Sequence, residues 1–106
     1  MSGSDGPSGG GMWTGGPQSD DCASLRIDDG VAAPDATFVF TVGMVFDVVL
    51  NPGPPATVSL QFERRRVGSV HPYPALVRCL NSGVPFEAEV RSISGGDIRV
   101  AVEPIL

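Results

Sequence analysis

Proline and glycine cut this chain too finely for long helices. Ten prolines and fourteen glycines punctuate 106 residues, and the apolar runs between them are strand-length. None approaches the ~20 apolar residues that span a bilayer as a helix. The runs are rich in Val, Phe, Ile and Thr, which suit a half-buried pleated surface. A chain built this way is expected to fold as short strands joined by tight connections.

The clearest alternation is "TVSLQFE", residues 57–63. Val58, Leu60 and Phe62 point one way and Thr57, Ser59, Gln61 and Glu63 the other, a strand with one wet face. "TFVFTV", residues 37–42, reads as a strand, and "MVFDVVL", residues 44–50, continues it after Gly43. A glycine between two such runs signals a bulge or sharp corner. "SLRI", residues 24–27, reads as a brief first strand. "NPGPPA", residues 51–56, is a stiff loop with a PxxP spacing, read as loop chemistry. "RRR" falls on a turn or strand end, and "VGSV" returns.

"HPYP" enters a helix. Pro74 suits the first turn, where a missing N–H costs nothing. Leu76, Cys79 and Leu80 then share one face of "PALVRCLNSG", and Gly83 fits a left-handed cap. Two turns cannot hold alone, so the helix must pack on the sheet. In the C-terminal hairpin, a two-residue Gly95-Gly96 turn would put the apolar sets out of phase. Burial requires Val90 opposite Val100 and Ala88 opposite Val102. A three- or five-residue bulged loop is therefore expected. Arg91 and Arg99 lie outside, offset by Glu87, Glu89 and Glu103. The sum is a mainly β fold: a small, strongly bent β-barrel or half-barrel of about six short strands, with one short helix at an end.

Residues 1–21 are almost wholly Gly, Ser, Pro, Asp and Gln. They cannot bury enough apolar surface to offset ordering, so a disordered tail is expected, followed by one domain over 22–106. The net charge of −5 is uneven. Residues 1–35 hold six acids against Arg26, whereas residues 36–106 hold six acids and six arginines. No basic region followed by an apolar run opens the chain, so a cytoplasmic protein is expected. Cys22 and Cys79 are then read as reduced and buried; a disulfide pinning the tail to the domain is the alternative, with a redox or catalytic role a third.

The chemistry is sparse. One histidine and two cysteines, without CxxC or HxxxH spacing, give no metal site, and no phosphate-cradling loop follows a strand. No cofactor is expected. Ser69 with His71, or Cys79 with His71, would need an orienting third group, and nothing in the sequence supplies one. An enzyme is not expected. Arg64, Arg65 and Arg66 are the site candidates. On a turn they would fan toward one ligand; otherwise they form a solvated hairpin that also protects a sheet edge. Tyr73 offers a stacking ring, and Trp13 a partner anchor.

The stretch "TVSLQFERRRVGSVHPYPALVRCLNSGVPFEAEV" resembles the second half of HIRAN domains. Those are small β-barrels found beside helicase and nuclease modules. "RVGSV", "ALVRCLNSG" and "FEAEV" match in kind, over roughly residues 50–90. The resemblance implies binding of single-stranded DNA ends, with Arg65 and Tyr73 as candidates. The residues themselves point first to a non-enzymatic binding or adaptor module that docks to a protein partner. Single-stranded nucleic acid is the alternative ligand.

Overall fold

In the computed structural model the described residues are 17–106, with side chains from Asp21 onward. The elements are α1 (Pro17–Ser24), β1 (Ile27–Gly30), β2 (Val45–Asn51), β3 (Thr57–Phe62), β4 (Arg65–Val70), α2 (Pro74–Asn81), β5 (Phe86–Ser94) and β6 (Asp97–Pro104). The six strands form one antiparallel sheet in the order β1-β6-β5-β2-β3-β4. It curls into a half-barrel. An Ala32–Ser69 bridge ties the segment after β1 to β4 and so links the two ends of the sheet. The mainly β, strongly bent architecture matches the expectation, with two short helices in place of one. Among the described residues no helix is long and apolar enough to cross a membrane.

The concave face holds the core. Phe46, Val58, Leu60, Val67, Leu76, Val90, Val100 and Val102 are fully buried. Each is worth ~1.5–3 kcal/mol relative to exposure. The β3 alternation holds, with one addition: Ser59, on the other face, is also buried. Its hydroxyl accepts from Asn51 Nδ2 at 2.7 Å.

Helix α2 follows the expected plan. Pro74 opens it and Leu76 and Cys79 are buried. At its end Gly83 N–H donates to Leu80 O and Val84 N–H to Cys79 O. This paired pattern needs a left-handed residue, and Gly83 supplies it with φ 89°.

Four expectations are corrected. The first strand starts at Ile27, because residues 17–24 form α1, which begins with Pro17 in a favourable first-turn position. The expected tail of residues 1–21 thus overlaps α1 at its end, and the rest of it lies outside the described residues. Cys22 and Cys79 are joined in a disulfide, with Cα atoms 5.6 Å apart, and are not reduced.

Residues 37–42 form no strand. Phe38 and Phe40 do turn inward, but into an aromatic cluster with Phe46 and Phe62, ring centroids 4.9–6.1 Å apart. Packing satisfies the alternation, and no neighbouring strand is needed. Gly43, at φ 95°, turns the chain into β2.

The C-terminal hairpin has the expected pairs Val90↔Val100 and Ala88↔Val102. Its device differs. Ile93 faces Ile98 and Ser94 faces Asp97, so the connection is the two-residue Gly95-Gly96 turn. Phase is restored by a bulge between Val90 and Ser92 that absorbs Arg91.

Candidate docking surface

The arginine triplet is divided by its hairpin. Glu63 and Arg64 alone form the turn, with φ 51° and 71°, as a tight two-residue hairpin requires. Arg65 and Arg66 belong to β4. Arg65 pairs with Phe62 and Arg66 with Gln61, and strand alternation sends them to opposite faces. The three do not converge on one ligand. Val67, the extra residue of a bulge opposite Leu60 and Gln61, is buried.

Arg65 is a clip. Its Nε and Nη2 donate to Asp35 Oδ2 at 3.2 and 2.7 Å, and Nη2 donates to Thr37 Oγ1 at 2.6 Å. The guanidinium also lies 5.5 Å from the Phe38 ring centroid, a cation–π distance. Asp35 in turn accepts from the Thr37 backbone N–H at 2.9 Å and the Thr37 hydroxyl at 2.8 Å. The Arg65 hydrogen bonds first, and then those of Thr37, hold the Asp35 carboxyl at about 2, below its usual 3.8.

What the clip holds is the strap, residues 31–44, which crosses from β1 to β2. Ala32 and Asp35 bond its first half to β4, through Ser69 and Val67. Thr41 and Gly43 fasten its second half: Met44 N–H donates to Thr41 O, and Gly43 N–H to Val90 O. With Phe38 and Phe40 turned inward, Val39 between them and two valines after them face out. Val39 is 77% exposed, Val42 63% and Val45, at the start of β2, 46%. Half of the large exposed apolar side chains among the described residues thus lie in seven consecutive positions.

Carboxylates flank Val45. Val45 stands opposite Glu89 in the β2–β5 register, and Asp47 opposite Glu87, which stands opposite Glu103 on β6. Arg91 lies 3.5 Å from both Glu89 and Glu103. Among the described residues Asp47 and Glu87 form no ion pair. Like charges set opposite each other cost stability.

Tyr73 lies apart from this surface. It precedes α2 and is half-buried, its ring edge-on to His71 with centroids 4.5 Å apart. A cleft of about 330 Å³ where β1 and β4 diverge brings Asp29, Ser69 and His71 together. Their hydrogen bonds serve the backbone. Asp29 accepts the main-chain N–H groups of Gly30 and His71, at 2.8 and 2.9 Å, and Ser69 Oγ donates to Ala32 O at 3.3 Å. Among the described residues no group of His, Cys, Asp and Glu is arranged to hold a metal ion. Trp13 lies outside the described residues.

Sequence reasoning found the arginine turn and missed the surface it supports. The signal was present in "TFVFTV", where Val39 and Val42 stand beside two phenylalanines and not all four can be buried by one short segment. Here the phenylalanines turn inward and the smaller valines are left exposed. No protein-family model, curated protein or solved structure matches this chain.

Proposed function

We propose that this chain is a non-enzymatic β half-barrel module that docks to a protein partner through the strap. The observation that carries the reading is the run of outward valines, Val39, Val42 and Val45, on a segment fixed from behind by Arg65, Asp35 and two phenylalanines. Contiguous exposed apolar side chains mark interaction surfaces in soluble proteins, whereas single ones do not. Fixing the segment beforehand lowers the ordering cost of binding. Glu89, Asp47 and Glu87 around Val45 favour a partner that brings basic residues to that end of its apolar contact.

The test is a photo-crosslinking amino acid at position 42 in the full chain, in its native host, against the same probe at position 97 on the far hairpin. A discrete adduct from position 42 alone, lost when Val39 and Val45 are both changed to Asp in a still-folded protein, supports the reading. Equal labelling from both positions overturns it.

A second reading rests on Arg64 and Arg66, which make no ion pair among the described residues. They would serve single-stranded DNA binding, the function that the HIRAN-like resemblance implies with Arg65 and Tyr73 as its candidates; Arg65 is engaged with Asp35. This reading predicts a mobility shift with short single-stranded DNA that weakens steeply with salt and drops in Arg64→Ala/Arg66→Ala. No shift at low salt removes it.

A further inference from the structure

Helix α2 turns one face to the core and another to an open trough. Leu76 and Cys79 are buried and Leu80 packs against the core. Pro74, Val77, Arg78 and Asn81 stand at i, i+3, i+4 and i+7, and so share a different face. That face is one wall of a trough of about 760 Å³, open along one side. Pro72, from the segment entering the helix, and Ala56, at the end of the loop between β2 and β3, also line it. The apolar lining from Pro72, Pro74 and Val77 belongs to the start and middle of the helix. The polar lining belongs to its end.

The polar end is cationic and unmatched. No carboxylate lines the trough. The side chains of Arg78 and Asn81 have no hydrogen-bond or ion-pair partner among the described residues, whereas Arg65 and Arg91 are each held by acids. Arg78 is not needed to close the helix. Arg78 O, Cys79 O and Leu80 O already accept the N–H groups of Ser82, Gly83 and Val84. The Ser82 hydroxyl is engaged with Arg78 O at 3.0 Å. The guanidinium and the Asn81 amide are left as the donors lining the trough.

We propose that this trough binds an extended acidic–aliphatic peptide segment of a protein partner, with an aliphatic side chain on Pro74 and Val77 and a carboxylate on Arg78 and Asn81. The sign follows from the unmatched guanidinium, whose planar fork pairs with carboxylates. The form follows from the shape. Small-molecule sites enclose most of their ligand, whereas an open trough contacts a chain along one side. The spacing follows from the helix. Pro74 to Arg78, like Val77 to Asn81, is four residues, an axial step of ~6 Å. Alternate side chains of an extended chain lie ~6.6 Å apart on one side. The motif is therefore an aliphatic residue, any residue, then Asp or Glu. No strap residue lines the trough, so this contact is independent of docking through Val39, Val42 and Val45.

Amide NMR shifts of the full chain test this, with Ac-Gly-Leu-Ser-Glu-Gly-NH2 as the probe and the same peptide with Gln in place of Glu as the control. The acidic peptide is expected to shift the amides of Val77, Arg78 and Asn81 with a dissociation constant of about 1 mM or tighter, and the neutral one to bind at least tenfold more weakly. Arg78→Gln, a change at an exposed side chain, removes the difference between the two. Arg78→Glu reverses it in favour of Ac-Gly-Leu-Ser-Lys-Gly-NH2, an exchange of sign that a merely structural arginine does not produce. Equal binding of the acidic and neutral peptides by the parent overturns the proposal, as does the absence of any shift in α2 with the acidic peptide at about 10 mM. Shifts that vanish in Val39→Asp/Val45→Asp also overturn it, because the peptide then occupies the strap.

Discussion

Asp35 couples the strap to pH. Its carboxyl titrates at about 2 in the folded chain, against 3.8 ordinarily, chiefly because Arg65 hydrogen-bonds the ionised form. A lowered folded-state value means stabilisation that is complete above the ordinary value and lost as pH falls toward 2. Both groups are partly solvated, so the effect is modest and falls further with salt. Arg65→Gln is expected to move the Asp35 midpoint up toward 3.8 and to flatten the stability change between pH 4 and 2. Carbon-detected NMR titration of the carboxyl and urea midpoints over that range check the two halves. Gly68 fixes the same strap sterically. A Cβ there would run into Val31 Cγ1 and approach Ala32 O. Gly68→Ala should cost about 1–3 kcal/mol, the range for overpacking. Adding Val31→Ala should restore part of it, a coupling that a double-mutant cycle of urea denaturations measures.

At the scale of the element, the β5–β6 hairpin makes the sharpest claim. Its bulge exists to reconcile a two-residue turn with in-phase burial, and it does so by setting Arg91 aside. Deleting Arg91 therefore leaves Val90 opposite Val100 and Ile93 opposite Ile98 in a regular ladder. The expected loss is the ~0–1 kcal/mol of the exposed ion pairs to Glu89 and Glu103. Deleting Glu89 instead puts the buried Ala88 or Val90 out of phase and should cost several kcal/mol, at about 1.5–3 for each large buried side chain displaced. Urea midpoints of the two deletions, one residue apart in length from the parent, decide it. The register was legible in the sequence because burial of Ala88, Val90, Val100 and Val102 dictates it. The bulge was not, because a longer loop satisfies the same constraint. α2 was legible from proline, glycine and one apolar face. The strap was not: alternation reports which residues face inward, and Phe38 and Phe40 do so by packing on other rings, with no strand beside them. Arg65 drew attention as a charge, but its partner Asp35 is thirty residues away in sequence, and no local spacing links them.

For the whole molecule the covalent link decides how much stability is in reserve. A domain of about 85 residues buries little more than ~60–65% of its unfolded surface, and net stability in such chains is ~5–15 kcal/mol. The Cys22–Cys79 bond joins residues 57 apart in sequence. By the chain-entropy account a loop of that size removes about 4 kcal/mol worth of freedom from the unfolded chain. The stabilisation acts on the unfolded state, so it is present even if α1 contributes little packing of its own. Cys22→Ser/Cys79→Ser should therefore lower the free energy of unfolding by about 4 kcal/mol. The m-value should rise, because the unfolded chain without its cross-link is more expanded and exposes more surface. Urea denaturation of the double variant beside the oxidised parent reads both quantities. A loss well below 1 kcal/mol would mean that the unfolded ensemble already holds these two segments together. A loss large enough to abolish folding would mean that the sheet and its core are not self-sufficient.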